Sequence, residues 1–345
     1  MATVGLKGIW GLEQLDRTGI ATWKLGVLLV GGFSLVGVLI ALFLDYLDPV
    51  QPEWFLQGPL GTLILFFISG LGLFITLALS RATESDLHQL TVIDSSMEDA
   101  IRLLRPQMRI LFPSIVVGII FFGTLFLVAN MIITERSVLE IFTALNSGGI
   151  QEIVIEYVFI PLAGIVFGVG LATWLKQVQS LTYAAHRLKI DLFQLSQYSN
   201  IANPLVRFIV VSLLFLTIVP LITLVDPAFG RGALLVTFLL VALAISVALL
   251  YGYPVLLLRN RIKDKKEKEL NALLQSLQGD DEAIKTLSLQ SRGVPTSTQD
   301  FLIHQMFVNS LWEWPIAPHV KKLALFGLLP PSTWVLAAGV ENLLY

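Results

Sequence analysis

The stretch Gly232–Leu258, GALLVTFLLVALAISVALLYGYPVLLL, runs directly into Arg259–Leu277, RNRIKDKKEKELNALLQSL. The first part carries no ionisable group except tyrosine, and no loop signal marks the junction with the densely charged part. At a rise of about 1.5 Å per residue the whole stretch makes a rod of roughly 70 Å, about twice the ~30 Å hydrocarbon core of a bilayer. Such a rod joins membrane to water. Pro254 comes after Tyr251-Gly252-Tyr253 near one end of the apolar part. A proline removes a helix hydrogen bond, so the rod reads as hinged at Pro254 rather than straight.

Five further uncharged runs are long enough to cross a bilayer: Leu25–Leu44, Trp54–Ser80, Ile110–Thr134, Tyr157–Leu175 and Phe208–Val225. Backbone groups in lipid must be satisfied locally, so each is expected to be a helix. Composition agrees, with 55% hydrophobic and 14% charged residues, against about 25% charged in soluble domains. The expected fold is all-α: a polytopic membrane protein with six transmembrane helices in three hairpins, plus a helical stalk and hairpin outside the bilayer. Its parts are an N-terminal segment over 1–24, a membrane domain over 25–258 with linkers 81–109 and 176–207, and a stalk and apolar tail over 259–345.

Lysine and arginine set the orientation. The loops Asp45–Glu53, Glu135–Glu156 and Asp226–Arg231 hold only Arg136 and Arg231 between them, whereas the segments on the other side hold all the remaining basic residues. Both termini are therefore expected in the cytoplasm, which for a bacterial chain means the inner (plasma) membrane. The start of the chain lacks the compact apolar core and small-residue cleavage site of a leader and reads as a retained segment.

The linkers carry their own patterns. Met97–Leu104 reads as a short amphipathic helix after Ser95-Ser96, a serine pair suited to capping it. Leu181, Ala185, Leu188, Leu192 and Leu195 recur at helical steps, and the lack of strong basic character favours packing on the stalk over lying on the membrane surface. In the stalk, Lys263–Glu267, Lys265–Glu269 and Asp264–Lys268 are opposite charges four apart, each supporting an exposed helix by about 0.2–0.5 kcal/mol. Asp300–Trp312 reads as a second helix returning toward the membrane. Pro106, Pro204 and Pro318 each precede a cation by three residues at the start of an apolar stretch, which is either a helix-start signal used three times or the trace of a duplication.

No catalytic constellation is present. Cysteine is absent, and His88, His186, His304 and His319 are scattered without metal-ligand spacing. No glycine pair has the neighbours of a phosphate-cradling loop. The reading is a non-enzyme without catalytic residues, cofactor or metal; a net charge of −2 and the lack of a basic domain point away from nucleic acid. Two small-residue stripes stand out: Gly164, Gly168 and Ala172, and Ala244, Ala248 and Gly252. Four-residue spacing of small side chains lets helix backbones approach closely, either within one chain or between copies. Glu152 and Glu156 lie in an acidic outer loop, where they either attract cations to an outer mouth or are simply solvated.

The stalk sequence, the Glu313–Pro318 element EWPIAP and the tail LLPPSTWVLAAGVE resemble multi-pass membrane proteins that recur in bacterial genomes; the likeness covers roughly 251–344, with Arg187–Leu192 a weaker match. The resemblance implies the architecture and carries no activity or site residue. The tail itself, Leu323–Val340, is uncharged and interrupted by Pro330-Pro331, which leaves a membrane-surface or re-entrant pair, a seventh span, or a packing face. The functional expectation is a homo-oligomeric ion channel or pore-like protein moved by the stalk. The alternative is a membrane signalling or scaffold protein whose hairpin binds a cytoplasmic protein partner, and a small-molecule transporter ranks third. The expected partners are the lipid bilayer and further copies of the chain.

Overall fold

Long uncharged runs leave the backbone in an apolar setting one local way to pair its polar groups, and the computed structural model is built accordingly from helices. It describes residues 21–47, 59–92, 94–104, 108–134, 160–225, 230–278 and 298–315, with isolated positions at 158, 280, 282, 283 and 287. The helices are α1 (Thr22–Leu47), α2 (Pro59–Thr91), α3 (Glu98–Leu103), α4 (Met108–Thr134), α5 (Ile160–Arg187), α6 (Ser199–Val225), α7 (Gly230–Leu277) and α8 (Thr298–Ser310). Two 3₁₀ turns, Ser95–Met97 and Leu192–Tyr198, join them, and no strand occurs among the described residues.

Three helical stretches among the described residues are long and apolar enough to cross a membrane: Thr22–Phe43, Phe66–Thr91 and Pro161–Arg187; Leu111–Phe121 is a shorter apolar stretch. The expectation of six spans is therefore met by three on this measure. α4, α6 and α7 are helical across the remaining runs. Apolar side chains that a water-facing helix would bury stand outward on α1, including Val27, Leu35, Leu39 and Leu42, as expected of a surface covered by lipid rather than water.

Neighbouring helices pair as antiparallel hairpins. Along α1 and α2, Gly26 lies against Phe74 and Gly37 against Phe66. α2 and α5 run in the same direction side by side, since a methyl at Gly72 would lie 3.5 Å from Val166 and one at Gly170 would lie 3.4 Å from the Thr76 hydroxyl. The largest core sits at the stalk end, where Leu87, Ile101, Leu181, Leu188, Tyr251 and Leu258 converge from five segments.

Local expectations are corrected in two places. α3 begins at Glu98 with Met97 at its cap and no side-chain capping bond, because Ser95–Met97 is taken into a 3₁₀ turn. The stripe from Leu181 to Leu192 is buried, against α7 among others, but it is not one helix. α5 ends at Arg187, and the Asp191 carboxylate accepts from the Phe193 N–H at 2.9 Å, starting a new turn. A short polar side chain that bonds the backbone locally competes with helix propagation.

α7 is the rod expected from the sequence. It runs unbroken from Gly230 to Leu277, through Pro254, whose side chain is buried. α8 folds back along its charged half, where Phe301 and Leu273 share a small core.

Candidate functional site

The apolar half is organised by one crossing. A methyl at Gly164 would sit 2.5 Å from the Ile119 Cα, one at Gly168 would sit 2.5 Å from the Ser114 carbonyl oxygen, and one at Gly118 would strike the Gly164 carbonyl. These contacts are with backbone, which cannot swing aside. α4 and α5 thus touch main chain to main chain, which gains dispersion contact that larger side chains would prevent. Gly164 and Gly168 of the first stripe are used here, inside the chain. Ala172 is also fully buried, in a neighbouring core with Leu25, Leu77 and Leu111. Gly118 is the member that the sequence reading missed; Ser114 and Gly118, four apart and facing the same partner, are the signal that reveals it.

The second stripe behaves differently. A methyl at Gly252 would meet nothing within 4 Å, and Ala248 is half-buried. The side chain of Ala244 lies outside the described residues, as do Glu152 and Glu156 of the acidic loop.

Polar chemistry concentrates at the stalk end, where α2, α5, α6 and α7 meet. Asp86 is only 4% exposed, and it accepts a two-pronged bond from the Arg207 guanidinium at 2.6 and 3.2 Å. The planar fork matches the carboxylate, which is why an arginine and not a lysine suits this position. One helix on, the Tyr251 hydroxyl donates to the Gln177 side-chain oxygen, tying α7 to α5. The Trp174 ring stands edge-on to Phe208 at 5.5 Å, and Phe208 stacks on Tyr251 at 5.6 Å. Below this, Arg261 donates to the Ala185 carbonyl and Ser180 to that of Ala100. The last bond clips the short helix α3 to α5.

Tyr198 stitches the turn between α5 and α6. Its hydroxyl accepts from the Asp191 N–H at 2.6 Å and donates toward the Lys189 carbonyl at 3.1 Å. Burial pushes the phenol above its ordinary range, the Asp191 charge adds to this, and the Asp191 backbone bond and Arg261 oppose it.

The hairpin of α7 and α8 has its own buried pair. His304, 4% exposed, meets the Glu269 carboxylate at 3.1 Å, while Phe193 and Phe307 lie nearly parallel to its ring at 5.7 and 6.2 Å. α8, α7 and the turn after α5 are thereby joined at one point. Lys263–Glu267 forms as the spacing predicts, at 3.7 Å between exposed side chains, whereas Glu269 turns inward to His304. Lys266 donates to the terminal carbonyls of Asn309 and Leu311 at 3.1 and 3.2 Å, satisfying groups that a helix end leaves unpaired.

These side chains fasten helices to one another; they do not form a nucleophile–base pair or a carboxylate dyad. Among the described residues no group of three or more His, Asp or Glu is placed to hold a metal ion. Comparisons with protein-family models, with curated proteins and with solved structures find no match for this chain.

Proposed function

We propose that this is a six-span inner-membrane protein with cytoplasmic termini, whose copies associate through α7 into an ion channel or pore-like assembly moved by the stalk. No catalysis or cofactor belongs to this reading. The observation that carries it is the outward face of α7. Ile245, Leu249, Tyr253 and Leu256 are exposed beside Gly252, whose open side no described part of the chain occupies. The same helix continues without interruption into the stalk, so a shift of the hairpin is passed to the helix that would face a second copy.

Mass measurement of the full-length protein in lipid nanodiscs tests the association. The expected result is a discrete multiple of the chain mass, reduced to the monomer by Gly252→Leu with helical content intact. Current recording across voltage and membrane tension tests the pore. A monomer that never conducts rejects the reading.

A second reading, a scaffold that binds a cytoplasmic protein, is favoured by Leu302, Ile303 and Met306, which form an exposed apolar stripe on α8. Photo-crosslinking from Met306 in cells distinguishes the two: a heterologous adduct supports the scaffold, and adducts only between copies or with lipid count against it.

A further inference from the structure

Four acidic or basic side chains among the described residues are more than nine-tenths buried: Asp86, Lys176, Glu269 and His304. Three of them have partners. Asp86 takes the Arg207 fork, and Glu269 meets His304. Lys176, 6% exposed, is the exception: no carboxylate or other acceptor reaches its nitrogen among the described residues. A charge taken out of water without a partner is costly, so such a group either gives up its charge or keeps a counterion.

The position of Lys176 favours the counterion. Ala172, four residues before it, and Ser180, four residues after it, share its face of α5, and both are fully buried. Ala172 packs with Leu25 of α1, Leu77 of α2 and Leu111 of α4, while Ser180 donates to the Ala100 carbonyl of α3. Lys176 is held between these two contacts, where three helices gain charge. Lys24 is the last charged residue before the uncharged run of α1; Arg81 and Lys176 are the first after those of α2 and α5. Because α1 runs against α2 and α2 runs with α5, these three ends lie together. The cations stand one residue from Leu25, four from Leu77 and four from Ala172, about 1.5–6 Å along the helix axes from the core those residues share. Glu84 is the carboxylate of these helices nearest in sequence to that level, and the cations outnumber it.

α1, α2 and α5 carry the three stretches long and apolar enough to cross a membrane, so in a bilayer their charged ends lie at the depth of the lipid phosphates. A lysine there ordinarily extends its ammonium outward to the headgroups. Lys24 is exposed; Lys176 is enclosed, so its anion has to enter between the helices. We propose that Lys176 anchors a binding site for a phosphate group, set between α1, α2 and α5, with Lys24 at its rim and Arg81 adding positive potential from α2. Phosphate is the anion that every phospholipid presents at that depth, and basic pockets between membrane helices hold phosphorylated headgroups. A lysine ammonium serves such a ligand as a compact point charge. The site uses helices other than α7, and so goes beyond the assembly proposed above without depending on it.

The test follows the unfolding midpoint of the full-length protein in an uncharged, phosphate-free detergent. One arm adds inorganic phosphate and the other short-chain phosphatidylglycerol. A phosphate-bearing ligand is expected to raise the midpoint by binding the folded chain. Lys176→Met is expected to raise the apparent Kd about tenfold or more, and Lys24→Gln about fivefold. Each variant is compared with its own unliganded midpoint, so a change in intrinsic stability does not mask the result. Stabilisation by phosphatidylglycerol alone supports the site and identifies a lipid headgroup; stabilisation by inorganic phosphate as well supports it as a site for the free ion. No stabilisation by either overturns the proposal in favour of an uncharged, buried amine. Stabilisation that Lys176→Met leaves unchanged overturns it by placing the phosphate elsewhere. Should Lys176→Met not fold, unchanged binding by Lys24→Gln overturns it instead. Monomer and oligomer are read alike, so failure of association through α7 leaves this result standing.

Discussion

Two helices carry the same sequence device and put it to different uses. Gly164-Gly168-Ala172 on α5 and Ala244-Ala248-Gly252 on α7 are alike in spacing. On α5 the stripe is consumed within the chain, against Ile115, Gly118 and Ile119. On α7 no described part of the chain lies beside Gly252. Spacing of small residues therefore specifies how close a neighbour can come, and says nothing of whether that neighbour is the same chain. The two helices then meet at the stalk end through Tyr251–Gln177 and Arg261–Ala185. There the closed crossing on α5 and the open face on α7 become one mechanical unit.

The comparison breaks most severely at Gly168. Gly168→Leu forces a side chain into the Ser114–Ile115 backbone and is expected to cost about 3 kcal/mol or more, seen as loss of folded protein in detergent unfolding curves. If Gly168→Leu unfolds no more readily than the parent, α4 and α5 do not touch main chain to main chain. Next comes the joint between the helices. Tyr251→Phe strips the Gln177 amide, 1% exposed, of its bond, an expected loss of about 1–3 kcal/mol. Adding Gln177→Leu removes the stranded amide and is expected to restore most of that stability, which a double-mutant cycle reads directly.

Farther out on α7, His304→Ala is expected to free α8 locally. Hydrogen exchange over 298–310 should rise severalfold while the α4–α5 crossing keeps its protection; equal loosening of both would show that the halves are not separable. Tyr198 gives a pH-dependent mark on the joint. Its phenol stays protonated in the folded chain where an exposed tyrosine ionises, so stability is full below about pH 10 and falls as pH rises beyond it. Tyr198→Phe should flatten that alkaline fall. The smallest effect is expected at Gly252→Ala, within about 0.5 kcal/mol for the single chain, against a clear penalty for the corresponding change at Gly168.

Much of the architecture is legible in sequence because it depends on local composition. The α7 rod, the return helix α8 and the two stripes each arise from spacing within one segment. What escapes is what depends on register between segments. His88, His186, His304 and His319 look alike along the chain; only the hairpin brings His304 to Glu269, 35 positions away. Gly118 has only Ser114 as a small neighbour four residues off, a weak signal that gains its meaning opposite Gly164. The stop after Arg187 escapes because Leu188 and Leu192 keep the helical apolar period while Asp191 supplies a local bond that ends the helix. The hinge expected at Pro254 is a matter of motion, and a continuous helix is compatible with stiffness or bending there. Pro254→Ala with distance measurements between labels on the two halves of α7 reads which.

The Asp86–Arg207 pair has a consequence for biogenesis. Its partners are 121 residues apart in the chain, so Asp86 leaves the ribosome long before its guanidinium exists. At about 5–20 residues per second, that carboxylate waits roughly 6–24 s in a nascent chain whose first hairpin is already emerging. Over that interval the first hairpin can already pack on α4 and α5, through Leu25, Leu77, Leu111 and Ala172, but Asp86 is without the guanidinium that accompanies its burial. The pair is therefore expected to close late in synthesis: a chain stalled before residue 207 should show the end of α2 more protease-sensitive than one stalled well after it.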